Sequence, residues 1–378
     1  MSLVIPIPNS KNGHCAPFHF TKPADCIEST QGINKSILLP EWAKTSFVQL
    51  TWPHENTDWA YMLQDVYNCY LQLTYALAQC TKVLIVTPNP EEISDFLKER
   101  LPNTLLENIQ LFQCPTNDTW ARDHAFLTCC KTTEGCKKMQ YLDFKFNGWG
   151  GKFEANLDNQ INKTLYDNNV LHGDYIDHLD FELEGGSIET DGEGTLLTTS
   201  TCLLNPNRNP QFSKEDIENK LKDWFGINQV LWLEHGFLAG DDTDSHIDTL
   251  ARLCPNNTIA YVKCSDENDM HYEALKAMEN ELMAFKTLSS APYRLVALPM
   301  ATPAYDEDGE RLPATYANYL VVNNTVLMPT YNDPETDLAA KEALASAFPG
   351  YEIIGVDCRA LIRQHGSLHC ATMQYPCI

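Results

Sequence analysis

Tyr319-Leu320-Val321-Val322-Asn323-Asn324-Thr325-Val326-Leu327-Met328 is the stretch that decides how this chain folds. Two runs of strand-forming residues meet at Asn323-Asn324, so it reads as a hairpin. A helix is expected over 334–348, and residues 351–356 read as the final strand of the chain. The unit is therefore ββαβ, an α/β arrangement.

Working outward, the same grammar recurs. A strand over 47–53 leads to a helix begun by Asn56-Thr57-Asp58, and from 59 to 80 apolar residues return at helical spacing (Tyr61, Met62, Val66, Tyr70, Leu73, Leu77), so one face is buried. Strands are expected at 82–87, 109–114, 125–130, 138–146, 182–188, 194–200, 229–233, 259–264 and 294–298. The turn Asp191-Gly192-Glu193-Gly194 makes a second hairpin. Helices are expected over 91–100, in a segment ending near Asn169, from the cap Ser213 to Phe225 with Gly226 as its stop, and near 270–287. Residues 1–45 show no period and read as an irregular lead-in to one catalytic unit spanning 1–378.

Polar constellations supply a period. From Asp123 to Glu184 is 61 positions, from Glu184 to His246 is 62, and from His246 to Cys370 is 124, twice 62. A module of that length repeated around an axis, giving one site residue per turn, accounts for the spacing; coincidence is the alternative.

With 27 basic and 51 acidic residues the formal charge is −24, which repels nucleic acid and anionic membrane alike and attracts a small cation. Solubility alone is a competing explanation of the acidity. Met1-Ser2-Leu3-Val4-Ile5-Pro6 lacks the basic region and apolar core of an export signal, and no apolar run reaches the roughly 18 residues of a membrane span, so a cytoplasmic protein is expected. Fourteen cysteines are scattered without a CxxC pair, which suits reduced, buried thiols rather than a disulfide framework.

Cys370, behind Gly366-Ser367, is a candidate nucleophile, the bland alternative being one more buried thiol. It would need a lowered pKa or a cationic partner to act, help that a positively charged substrate can supply. His246-Ile247-Asp248 alternates as a strand would, turning an imidazole and a carboxylate to one side; a polar loop satisfying its own backbone is the competing reading. A zinc site of His365, His369 and Cys370 is the competing reading, but closely spaced Cys and His pairs are scarce, and the expectation is no metal. No dinucleotide or phosphate-binding glycine motif is present.

Seven segments in order, from about residue 45 to the C-terminus, resemble the agmatine deiminase and bacterial-type peptidylarginine deiminase family of guanidine-modifying enzymes. They are Trp52-Pro53, Trp120-Ala121-Arg122-Asp123, Phe146-Asn147-Gly148-Trp149-Gly150-Gly151-Lys152, Leu183-Glu184-Gly185-Gly186-Ser187-Ile188, Leu203-Leu204-Asn205-Pro206-Asn207-Arg208-Asn209, the run from Asp242 to Asp248, and Leu368-His369-Cys370. The resemblance implies the pentein fold, a five-bladed pseudo-symmetric α/β propeller of ββαβ modules. It implies hydrolysis without a cofactor: Cys370 attacks a guanidinium carbon, His246 serves as acid and then base, and Asp123, Glu184 and Asp248 grip the guanidinium nitrogens. It further implies Asp242 near the far amine of the substrate, Trp120 flanking the cation and Asn318 lining the site.

The sequence departs from the family pattern at His54-Glu55, Ala125 and His365. The segment 147–151 carries no arginine to clamp a peptide carboxylate, so agmatine is expected as substrate ahead of peptide arginine. A zinc hydrolase and a non-catalytic guanidine-binding protein are the readings from other classes. A homo-oligomer is compatible with all of them.

Overall fold

The computed structural model describes residues 35–378. The expectations placed on the first 34 residues, including the export-signal reading and Cys15 and Cys26, lie outside this range. The described residues form five modules with one connectivity. In each, two strands pair antiparallel, the chain passes through a helix, and a third strand returns parallel to the second. The helix is what permits a parallel return, since a parallel pair needs a crossover longer than a hairpin turn.

The hairpin at Asn323 is the pattern for the rest: Leu320–Val322 and Thr325–Thr330 pair antiparallel, helix Pro334–Ala347 crosses over, and Glu352–Asp357 pairs parallel to Thr325–Thr330. Asn323 takes the left-handed φ of 53° that the turn demands. The preceding module is Ala251–Cys254, Thr258–Lys263, helix Tyr272–Ala284 and Arg294–Pro299. Before it come Ile188–Thr190, Thr195–Thr199, helix Lys214–Phe225 and Gln229–Leu233. Ser213 and Asp216 close a capping box at that helix, and Gly226 ends it at φ 68°. Leu127–Thr133, Cys136–Lys145, helix Asp158–Asp167 and Asp174–Glu182 form another.

The remaining module is assembled from both ends of the chain. Thr372–Pro376 pairs antiparallel with Thr45–Thr51, which leads through helix Leu63–Cys80 to the parallel strand Lys82–Thr87. The propeller is thereby closed, and the expectation that 351–356 is the final strand is corrected. The irregular lead-in is corrected over 35–45: Lys35–Leu38 is a strand on the edge of Leu127–Thr133, and Glu41 is buried. Lys35-Ser36-Ile37-Leu38 is four residues long and has no apolar alternation, so it gives no strand signal in the sequence.

Large side chains fill the interior. Trp52 meets Tyr70 edge-on at 5.2 Å, and Trp52, Trp59, Tyr316 and Phe348 are all fully buried. Nine of the twelve described cysteines are buried, and none of the twelve is in a disulfide. Among the described residues no helix is long and apolar enough to cross a membrane.

Candidate active site

Each module delivers its site residue from the short segment leading into its first strand. Asp123 precedes Leu127–Thr133, Glu184 precedes Ile188–Thr190, His246 and Asp248 precede Ala251–Cys254, Asn318 precedes Leu320–Val322, and Cys370 precedes Thr372–Pro376. Hydrogen bonds link these segments in a circle. Arg122 N donates to Cys370 O (3.1 Å) and Gly186 N to Asp123 Oδ1 (3.0 Å). Thr199 Oγ1 donates to Ser245 O (2.8 Å), Asn318 Nδ2 to Asp248 O (3.5 Å), and His369 N to Asn318 O (3.1 Å).

Cys370 is buried and held on two sides. Asn318 Oδ1 accepts from both His369 N (2.9 Å) and Cys370 N (3.2 Å), while its Nδ2 donates to Cys370 Sγ at 3.2 Å. Arg122 adds Nε to His369 O at 3.4 Å. Burial, followed by the Asp248 and Asp123 carboxylates, pushes the thiol well above its ordinary pKa, so without a cation beside it Cys370 stays protonated at neutral pH.

His246, Asp123 and Asp248 surround one small space whose floor is Gly186. A Cβ there would lie 2.7 Å from His246 Nδ1, 2.9 Å from Asp123 Oδ1 and 3.1 Å from Asp248 Oδ2. Asp123 accepts from Trp149 Nε1 (3.0 Å) and Gly186 N, and burial pushes it up to about 6 although His246 pulls the other way. His246 Nδ1 lies 3.6 Å from Asp123 Oδ1. Burial alone would lower this imidazole, but Asp123, Cys202 and Glu184 outweigh it and hold it well above its usual value. Neither of its ring nitrogens has a hydrogen-bond partner.

His246 and Asp248 do not lie on a strand as expected. Thr249 N bonds His246 O and Leu250 N bonds Ile247 O, closing a single 3-10 turn over Ile247–Thr249. Both side chains still reach the centre, because the segment turns at the axis where no neighbouring strand could pair with it. Asp248 Oδ2 accepts from His369 Nδ1 at 2.7 Å and lies 3.8 Å from Cys370 Sγ; its Oδ1 is buried with no partner. Burial would raise this carboxyl, but the His369 hydrogen bond and the charges of His246 and Arg252 lower it.

Glu184 does not present a free carboxylate. Arg208 Nε reaches both its oxygens, at 2.9 and 3.0 Å, and the guanidinium is itself anchored by Asp244 (2.6 Å) and Thr243 O (2.8 Å). Glu184 also lies with His246 and Cys202 in one tight cluster. Among the described residues the clusters dense enough to share a metal ion are Glu184, Cys202, His246 and Glu41, Glu189, His369. Each has an arginine on its carboxylates. The set His365, His369, Cys370 does not assemble: His369 turns its nitrogens to Asp248 and Glu41, and His365 Nδ1 bonds Gly240 O at 2.8 Å.

The cleft above Cys370 is walled by Trp120, Trp149 and Phe153, with the acidic residues Asp58, Asp118 and Asp242 around it. Burial pushes Asp118 up to about 6 and raises Asp242, which His365 and Lys152 counteract. Lys152 stands at this mouth but is engaged by Asp242 O and by Asp244, 3.0 Å away.

A sequence model of the Porphyromonas-type peptidyl-arginine deiminase family matches residues 37–376. The chain belongs to that family. A relative from Marinomonas sp. (strain MWYL1), provisionally named agmatine deiminase, is 34% identical over 347 residues, 87% of this chain and 91% of the relative. A solved Porphyromonas gingivalis protein, provisionally named arginine deiminase, is 47% identical with a TM-score of 0.84, covering 90% of this chain and 98% of that one. C. jejuni agmatine deiminase, solved as a cysteine-to-serine variant with substrate bound, is 38% identical with a TM-score of 0.81, covering 93% and 98%.

The departures from the deiminase family pattern acquire physical meanings. His365 occupies φ 65°, a left-handed position where glycine is the least strained residue, and its ring hydrogen bond to Gly240 O accompanies that conformation. His54 accepts from Asn56 N in its own turn (3.3 Å) and reaches the distant Thr116 Oγ1 (3.0 Å), and Ala125 is a core residue. Three participants were missed in the sequence: Glu41, Glu189 and Arg252. Isolated charges carry no motif, and only a pairing across blades reveals them.

Proposed function

We propose that the protein hydrolyses the guanidinium of a small amine-bearing substrate, agmatine first, to a ureido product and ammonia. The observation that carries this reading is Asp248 Oδ1, a buried, unpartnered carboxylate oxygen on a residue 3.8 Å from a buried thiol. A planar cation with several N–H donors satisfies such an oxygen, and a second carboxylate, Asp123, shares the same space. The guanidinium also reverses the electrostatics that keep Cys370 protonated, so ionisation of the nucleophile is coupled to substrate binding.

Cys370 Sγ then bonds the guanidinium carbon, and the imidazolium of His246 gives its proton to the nitrogen that leaves as ammonia. The resulting amidino-cysteine is attacked by a water whose proton His246, now neutral, takes up. Cleavage of the S–C bond releases the ureido product and restores the thiolate. For agmatine that product is N-carbamoylputrescine. Asp123 and Asp248 hold the substrate, while Asp123 foremost, with Cys202 and Glu184, keeps His246 cationic.

Asp58, Asp118 and Asp242 in the mouth favour a substrate with a terminal ammonium over one with a carboxylate, and Lys152 is already neutralised by Asp244. Trp120 is buried against Trp59 (rings 5.7 Å apart) and walls the same cleft. Ammonia release measured side by side on agmatine, free arginine and a peptide ending in arginine tests the choice. A kcat/KM at least ~100-fold higher on agmatine is expected, the scale of a mismatched polar end group. Reaction of the peptide alone would hand the site to peptidylarginine. Cys370→Ser is expected to lose ~1000-fold or more in kcat; full turnover by that variant would sink both readings.

A further inference from the structure

His369 immediately precedes the proposed nucleophile, is fully buried, and takes no part in the chemistry outlined above. Its Nδ1 lies 2.7 Å from Asp248 Oδ2. Its Nε2 lies 3.0 Å from Arg252 Nη2 and 3.0 Å from Glu41 Oε2. A guanidinium has donors and no acceptor, so Arg252 Nη2 needs a lone pair on Nε2. That places the single hydrogen of a neutral ring on Nδ1, aimed at Asp248.

The competing arrangement, an imidazolium donating to both carboxylates, would set its Nε2 hydrogen against the Arg252 guanidinium. Glu41 has no need of that hydrogen: its Oε2 already bonds Arg252 and its Oε1 accepts from Val321 N at 2.7 Å. Arg252 cannot swing away, being held by Glu41, Glu189, Ala317 O (3.0 Å) and Tyr319 O (2.6 Å), with the Tyr319 ring 4.6 Å from its guanidinium carbon. The charged groups around His369 are thus Glu41, Arg122, Glu189, Asp248 and Arg252. Burial, Arg122 and Arg252 push its pKa down against the pull of Glu41 and Asp248.

We propose that His369, with its hydrogen on Nδ1, is the positioning residue of this site, holding Asp248 through Oδ2 so that Oδ1 faces the substrate with its charge undiminished. This rests on the guanidine-hydrolase reading given above. A cationic partner would fix the same orientation but cancel the negative charge that the substrate needs; a neutral N–H fixes it and leaves the charge. Arg252 sets the tautomer. Because His369 N and Cys370 N share Asn318 Oδ1, the anchor for the cation and the attacking sulfur belong to one clamped turn.

Two variants and one spectroscopic measurement test this. His369→Asn retains an amide N–H near the Nδ1 position, whereas His369→Leu removes it. In Leu, KM for the guanidine substrate is expected to rise about 10-fold, more than kcat falls, and the acidic limb of kcat/KM to move to higher pH, because Asp248 loses the donor that holds it ionised. Asn is expected to restore both. Equal losses in Leu and Asn that follow their melting temperatures, or a Leu variant with wild-type KM and acidic limb, would overturn the proposal. Independently of turnover and of either variant, the side-chain 15N resonances of His369 in the wild-type protein should show hydrogen on Nδ1 and a bare Nε2 between pH 6 and 8. Hydrogen on Nε2 would also overturn it. Failure of wild-type enzyme to act on any guanidine would instead strike the reading beneath, leaving the tautomer result to stand by itself.

Discussion

Gly186 lacks a side chain because three others need its space. Its φ is not left-handed, so alanine would meet no backbone strain there. A methyl group would instead press on His246 Nδ1, Asp123 Oδ1 and Asp248 Oδ2 together. Gly186→Ala is therefore expected to fold normally and lose about 100-fold in kcat/KM, the penalty typical of an ångström of misplacement, as read by steady-state ammonia release. An unchanged rate would mean that the three groups do not converge on the substrate. The neighbouring Gly185 differs in kind, since its Cβ would meet Arg122 O at 2.2 Å, a backbone atom that cannot yield. At this scale the sequence was informative about which residues matter and less so about what each touches. Asp123, His246, Asp248, Asn318 and Cys370 do come together, whereas Glu184 faces Arg208 and His246, a partnership that the spacing of 24 positions between Glu184 and Arg208 does not reveal.

Thr372–Pro376 is the element on which closure depends, and it was not recognised from the sequence. Five residues after a catalytic-looking turn, with a proline, give little strand signal; pairing with Thr45–Thr51 makes them one. Tyr375 is its anchor, stacked on Phe47 at 4.4 Å and donating to Gln49 Oε1 at 2.9 Å. Tyr375→Ala is expected to cost about 3–5 kcal/mol in chemical denaturation, the usual range for emptying a buried aromatic site. A loss below ~1 kcal/mol would show that the ring closes without it. Strands Ala251–Cys254 and Asp174–Glu182 were also missed, the first for its four-residue length and the second because Asp174, Asp177, Asp180 and Glu182 interrupt its apolar residues. By contrast the Ser213 cap, the Gly226 stop and strand Gln229–Leu233 follow local rules and appear as read.

For the whole molecule, a formal charge of −24 makes the folded state repel itself. Raising ionic strength from about 20 mM to about 300 mM should raise the melting temperature by a few degrees, since the Debye length falls severalfold. Burial raises several carboxyls, Glu189 to about 7 among them, and each adds a pH dependence of definite sign. Burial pushes Asp123 and Asp118 up to about 6 and Asp158 up to about 8, from an ordinary 3.8. Below its native pKa and above 3.8, each binds a proton when folded and not when unfolded, so stability grows as pH falls through that window. His246, raised from 6.5, works in the same direction, its contribution being lost as pH rises through the native value. Burial holds His54, His124, His178, His271 and His369 low, and these work the other way, their contribution being lost as pH falls below the ordinary 6.5. The carboxyl contribution is therefore read from Asp158→Asn, whose melting temperature at pH 6 relative to pH 8 is expected to be lower than that of the wild type; an unchanged difference would contradict a protonated Asp158. The carboxyls of Asp248 and Glu41, held low, reverse the trend only in stronger acid. The chain by itself determined its modules, their period and the residue types that each offers, because turns, caps and apolar spacing act over a few positions. Only the closed propeller decided that Cys370 lies beside Asp248, that Glu184 is taken by Arg208, and that Glu41, Arg252 and His369 form one buried chain, because these contacts join segments between 24 and 328 positions apart.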